Sequence, residues 1–146
     1  MQPFASAVVT GGARGIGRCI AQLMVRRGYY VVLTDVDGDA ARRTSDEIGA
    51  VAGLGSDVRN EAGHHEVAAR ALQHGRLAAW FNNAGVGFDG TLTELSSSSV
   101  ERLVGVNLVG TIWGMRAALA AFSSEGGDIV IIASLSGHGP VPGRSA

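Results

Sequence analysis

No lysine occurs anywhere in the 146 residues; all 12 basic residues are arginine. Chemistry that rests on a side-chain ammonium therefore has no residue here to carry it. Tyrosine is nearly as scarce, with only Tyr29 and Tyr30 present. The single cysteine, Cys19, excludes an intrachain disulfide, and no Cys/His cluster has zinc-ligand spacing. A reducing cytoplasm is the expected compartment. A basic excess is also missing: 12 basic against 13 acidic residues leave a net charge of −1, so nucleic acid is not an expected partner. The opening MQPFASAVVTGG has no cationic segment ahead of an apolar run, which argues against a signal peptide. The stretch from Leu103 to Phe122 has about the ~20 residues of a spanning helix. It carries Asn107 and Arg116, however, and reads as a buried helix with no membrane partner.

Apolar residues make up 46% of the chain and charged residues 17%, enough to build one hydrophobic core in one domain, residues 1–146. The 22 glycines show no three-residue period and mark turns. Ala5 to Thr10 is a short β-branched run that stops at Gly11-Gly12, as a buried strand entering a tight turn does. From Gly15, Ile16, Ile20, Leu23 and Met24 recur on a helical face until Gly28 ends the helix. Tyr30 to Thr34 reads as a second strand buried on both faces, ending at Asp35. A charged helix over 39–48, a weak strand from Ala50 to Leu54 and a helix from Glu61 to Gln73 follow, the last with Val67, Ala68, Ala71 and Leu72 on one face. His64, His65 and His74 on or near that helix are expected to be solvated.

A strand from Leu77 to Phe81 precedes Asn82-Asn83. A long helix from Ser96 to Phe122 then places Val100, Leu103, Val104, Asn107, Thr111 and Met115 on one stripe, with the serines at 96–99 as its cap. Asp128 to Ala133 is the fifth strand. Five strands alternating with four helices through short connections give a doubly wound α/β fold with a parallel sheet.

The chemistry gathers at the strand ends. Thr10 to Gly17 lies between the first strand and the first helix, where glycines let the backbone approach a pyrophosphate. The free N–H groups and positive end of the helix then meet its charge. A glycine turn needed only for strand-to-helix packing is the structural alternative, and the spacing departs from G-x-G-x-x-G. Asp35 stands after the second strand, where a carboxylate accepts hydrogen bonds from ribose hydroxyls and repels a 2′-phosphate. Capping the next helix is its alternative role. Arg14 could meet such a phosphate and pulls the other way. Asn82 and Asn83 alone are turn formers. Asn107, placed on an apolar stripe, needs a hydrogen-bond partner to offset a desolvation cost of about 1–3 kcal/mol. Ser134, at the end of the fifth strand, is otherwise a strand-end hydroxyl.

Taken in order and placement, Thr10 to Gly17, Asp35, Asp57 with Val58, Asn82-Asn83-Ala84-Gly85, Asn107 and Ser134 resemble the short-chain dehydrogenase/reductase family, which has a Rossmann fold. The resemblance implies that Gly11, Arg14, Gly15, Ile16 and Gly17 hold the pyrophosphate side of a nicotinamide dinucleotide. Asp35, Asp57 and Val58 would meet adenosine, and Asn83, Ala84 and Gly85 would line the cofactor's inner edge. It implies catalytic roles for Ser134, which would hydrogen-bond a substrate oxygen, and for Asn107, which would anchor a water linked to a lysine. Ser136 is a weaker candidate than Ser134, and His138 is the one histidine expected near substrate. NAD is expected in preference to NADP, because no basic residue immediately follows Asp35.

The family's tyrosine and the lysine four residues on are absent. By resemblance the tyrosine would stand at or just past Ala146, after Gly143-Arg144-Ser145, so the match covers about the first three-fifths of a family member and is truncated after the fifth strand. Two functions follow as expectations. One is an NAD(P)-dependent oxidoreductase acting on a small alcohol or carbonyl substrate, homo-oligomeric at full length and inactive as this stretch alone. The other is a non-catalytic dinucleotide-binding module. A methyl transferase shares the sheet and the acid after the second strand, but not the Asn-Asn-Ala-Gly motif or Ser134.

Overall fold

The structure is a computed structural model and describes residues 5–134. Ser136, His138 and the 143–146 segment lie outside the described residues.

Strand β1 (Ala5–Thr10) is buried along its whole length because it has a neighbour on each side, β2 (Tyr30–Asp35) and β4 (Arg76–Asn82). Strands β3 (Ala52–Gly55) and β5 (Asp128–Ile131) complete a parallel sheet of order β3-β2-β1-β4-β5. The middle of such a sheet is apolar on both faces, which is why β1 and β2 read as unbroken runs. Alternate residues feed two cores. Ala7, Val9, Val31 and Leu33 pack with Ala21 and Met24 of α1 (Gly15–Arg26) and Ala41 of α2 (Gly38–Ile48). Val8, Val32 and Trp80 pack with Val67, Ala68 and Ala71 of α3 (Glu61–Leu72) and with Ala117 and Ala118 farther along the chain. Helices thus cover both faces, and the doubly wound Rossmann architecture holds. A register shift against β4 between Ser6 and Ala7 lets Leu77 and Trp80 share one face, where strict alternation would separate them.

Several sequence expectations change. The expected strands 50–54, 77–81 and 128–133 are observed at 52–55, 76–82 and 128–131. In α1 the buried residues are Gly17, Ala21 and Met24, whereas Ile16 and Leu23 are 64% and 44% exposed. Small residues face the sheet because the helix lies close on it. The face of α3 is His64, Val67, Ala68 and Ala71, and Leu72 is exposed. His64 is therefore not solvated: it is 2% exposed.

The long helix is three segments, α4 (Ser97–Val104), a π-helical turn (Gly105–Val109) and α5 (Gly110–Ala121). Ser96 caps it, its hydroxyl accepting from Ser99 N–H at 3.2 Å. The wider turn shifts the register, so the expected stripe through Val100 and Asn107 is not the buried one. Val106, Gly110, Gly114, Ala117 and Ala118 face inward. A Cβ at Gly114 would lie 2.1 Å from Asn82 Oδ1, so only hydrogen fits there. By length and composition this helix could cross a membrane, and only 28% of its most apolar window is buried. The expectation of a buried helix is met along one face alone. Val104, Leu108, Ile112 and Leu119 form an exposed apolar ridge on the other.

Candidate functional site

The turn after β1 and the loop after β4 are stitched together by two side chains. The Thr10 hydroxyl donates to Phe81 C=O at 3.3 Å and accepts the N–H groups of Asn83 and Ala84, both at 3.1 Å. Asn83 returns the contact, its Nδ2 donating to the carbonyls of Thr10 and Gly11 at 3.0 Å each. Gly11 makes this possible with φ +63°, a conformation costly for other residues. Helix α1 starts here with no side chain capping its first N–H groups, so they remain available to an anion.

These loops, with those after β2 and β3, bound a cleft of about 330 Å³. Of the expected residues, Gly11, Arg14, Ile16, Gly17, Asp35, Asp57, Val58, Asn83, Ala84 and Gly85 all line it. Gly15 does not; at φ +55° it serves the turn itself. Asp35 braces the glycine turn, one carboxylate oxygen accepting Ala13 N–H and the other Asp37 N–H, each at 3.3 Å. It does not cap α2; Asp37 does, accepting from Ala40 N–H at 2.9 Å.

Sequence reasoning missed Arg59 and Arg102, which also line the cleft. Arg59 grips both oxygens of Asp57, through Nε at 3.0 Å and the terminal nitrogen at 2.5 Å. Its guanidinium holds the Asp57 carboxyl below the ordinary carboxylate range, a shift that burial opposes. Among the described residues the cleft carries three arginines, Arg14, Arg59 and Arg102, against the carboxylates Asp35 and Asp57, a surplus suited to an anionic ligand.

Asn107 sits in the π-helical turn, and its partner is the loop after β4. Its Oδ1 accepts Val86 N–H and its Nδ2 donates to Val86 C=O, both at 2.9 Å. The side chain is exposed, contrary to the desolvation expected of it, because the π turn takes it off the buried face. It does not line the cleft, and it fixes the loop that does. Ser134 follows β5 and is exposed, also outside the cleft lining. Tyr30 begins β2, at the end of the sheet away from the glycine turn, and packs on His74 with ring centroids 6.1 Å apart.

The family model for short chain dehydrogenases matches residues 5–146. The chain belongs to the short-chain dehydrogenase/reductase family. It is 35% identical over 137 residues to sorbitol dehydrogenase of Cereibacter sphaeroides, with 91% of this chain and 54% of that one covered. It is 34% identical over 132 residues to carbonyl reductase family member 4 of Xenopus tropicalis, covering 89% and 56%. A crystal structure of a short-chain dehydrogenase/reductase from Burkholderia phymatum in complex with NAD superposes with a TM-score of 0.88 at 36% identity, covering 98% of this chain and 54% of that one. The chain therefore spans about half the length of the relatives it matches.

One short-chain dehydrogenase/reductase residue of this chain carries an unanticipated charge question. His64 lies under the cleft wall, its Nε2 2.7 Å from Val58 C=O and its ring 6.0 Å from that of Trp80. Burial pushes its pKa below the ordinary 6.5, with His65 adding to the shift and the Val58 bond and Glu61 opposing it. The unfolded chain takes up this proton at a higher pH than the folded one. Stability is therefore full above pH 6.5 and declines as pH falls toward the depressed value. Thermal melts between about pH 7.5 and 5 are expected to show a steeper acid loss in the wild type than in His64→Leu. Parallel curves for the two proteins count against this.

Proposed function

We propose that the chain is the dinucleotide-binding part of an NAD-dependent oxidoreductase that moves hydride between the nicotinamide ring and an alcohol or carbonyl carbon of a small molecule. The observation that carries this reading is the Thr10–Asn83 stitch, which sets the glycine turn, the open start of α1 and the Asn-Asn-Ala-Gly loop around one cleft. The glycine turn fits a pyrophosphate because α1 begins beside the cleft with no side chain capping its first N–H groups, and Gly17, whose Cβ would lie 2.2 Å from Gly11 C=O, lets the helix start close against the turn.

Gly11, Arg14, Ile16 and Gly17 would hold the pyrophosphate, Asp35 the adenosine ribose, Asp57 and Val58 the adenine, and Asn83 to Gly85 the nicotinamide side. When bound, the dinucleotide supplies the hydride donor or acceptor. Ser134 would orient the substrate oxygen by hydrogen bonding, and Asn107 would hold the Val86 backbone that continues the cleft's inner loop. NAD is favoured over NADP by the Asp35 carboxylate, which Val36 and Asp37 follow without a basic residue. The single cysteine of these residues supports a cytoplasmic setting.

Calorimetric titration with NAD and NADP tests the reading. Saturable NAD binding is expected, with NADP about tenfold or more weaker. Absence of binding to either ligand would falsify it, and tighter NADP binding would reverse the cofactor assignment. A second reading is a binding module without catalysis. Full-length protein that binds NAD but turns over no alcohol or carbonyl would support that instead.

A further inference from the structure

We infer that His64 is a positioning residue for the adenosine end of this cleft, acting through the Val58 peptide; the inference rests on the dinucleotide reading above. Val58 lines the cleft and is 8% exposed, so its place is set from behind. Two neighbours set it. On one side a Cβ at Gly110 would lie 2.8 Å from Val58 Cγ2, so α5 closes against the side chain. On the other, His64 Nε2 meets Val58 C=O at 2.7 Å and turns that carbonyl toward α3. Trp80 backs the imidazole, and Trp80 is itself tied down, its Nε1 donating to Asn82 Oδ1 at 3.1 Å.

The segment is also tied to Asp57, whose Oδ1 accepts Arg59 N–H at 3.0 Å and whose C=O accepts Asn60 N–H at 2.9 Å. Arg59 grips the Asp57 carboxylate, and the Asn60 side chain caps α3, accepting from Ala62 N–H at 3.1 Å. Asp57 thus holds the N–H edge of the Val58–Arg59 peptide, and His64 holds its carbonyl edge. With an apolar residue at 64, the Val58 carbonyl would be left buried without this donor, a strong drive to reorient the peptide that faces adenosine. In the neutral imidazole the donor at Nε2 requires the Nε2–H tautomer, which this contact selects.

The test uses full-length protein and two ligands that divide the dinucleotide, ADP-ribose and nicotinamide mononucleotide, titrated by calorimetry. His64→Leu is expected to weaken ADP-ribose about five- to tenfold, the worth of one hydrogen bond, and to leave nicotinamide mononucleotide within about twofold. His64→Gln, which keeps an N–H donor on a side chain of similar reach, is expected to restore ADP-ribose binding. Unchanged ADP-ribose affinity in His64→Leu, or equal loss of both ligands, overturns the inference. Wild-type protein that binds neither ligand overturns the dinucleotide reading and this inference together. If His64→Leu does not fold, NMR of the wild type decides. The His64 Nε2–H resonance must move on saturation with ADP-ribose and stay with nicotinamide mononucleotide, and a resonance unmoved by ADP-ribose overturns the inference.

Discussion

Gly17→Ala is expected to abolish dinucleotide binding at ordinary concentrations. The added methyl carbon would stand 2.2 Å from Gly11 C=O and 2.4 Å from Asn83 Nδ2, far inside contact distance. Neither neighbour can yield cheaply. Gly11 C=O is backbone, and Asn83 Nδ2 already donates to two carbonyls that close the glycine turn against the loop after β4. Relief requires α1 to move off the turn or Asn83 to release it. Overpacking costs about 1–3 kcal/mol, and each part-buried hydrogen bond left unmade costs about 1–3 kcal/mol more. If the free protein relieves about 3 kcal/mol of this by moving α1 off the turn, binding must restore the strained geometry and affinity falls about 100-fold. A lowered Tm should accompany it, since Gly17 is buried. Gly15→Ala is the control: its φ is +55° but an added Cβ meets nothing within 4 Å, so strain without collision should cost about 1 kcal/mol. Calorimetry with NAD and a thermal melt of each variant decide the matter, and Gly17→Ala binding within threefold of wild type, roughly 0.6 kcal/mol, would refute the packing argument.

Asp35→Asn carries the second large effect, a change of cofactor preference. The carboxylate does two things. It braces the glycine turn through Ala13 N–H and Asp37 N–H, and it places a negative charge where adenosine ribose would sit. The amide keeps one of the two acceptors of the brace, turns a donor toward the other N–H, and removes the charge. Hydrogen bonds to a charged acceptor are worth about 1.5–3 kcal/mol, so NAD should weaken roughly 10- to 100-fold. NADP should gain at the same time, because its 2′-phosphate no longer meets a like charge and Arg14 lines the same cleft. The ratio of the two dissociation constants is the readout. If the ratio stays fixed while both weaken, Asp35 is a structural brace only.

The alternation of strands and helices was legible because β1 and β2 are buried on both faces and so appear as continuous β-branched runs. The cleft was nearly as legible, since loops at the carboxyl ends of parallel strands converge whatever their side chains do. What failed were the helix faces. Ile16 and Leu23 suggested the packed side of α1, yet the close approach of helix to sheet selects glycine and alanine there. His64 shares helical spacing with Val67, Ala68 and Ala71, and that spacing was the available sign of its burial. Residue type argued for solvent and outweighed it. The π-helical turn had no such sign, and it alone moves Asn107 out of the apolar stripe and onto Val86.

The sequence by itself determined the order of elements, the glycine turn, the acid after β2, the Asn-Asn-Ala-Gly loop, and the absence of lysine. These depend on backbone conformation and local pattern, which neighbours in the chain encode. Only the tertiary structure decided which faces pack, that Arg59 occupies both oxygens of Asp57, that Thr10 and Asn83 stitch two loops more than 70 residues apart, and that His64 holds Val58 from beneath. Those contacts arise from how helices settle on a twisted sheet, where close packing and the pairing of buried polar groups act across the chain and leave little trace in local spacing.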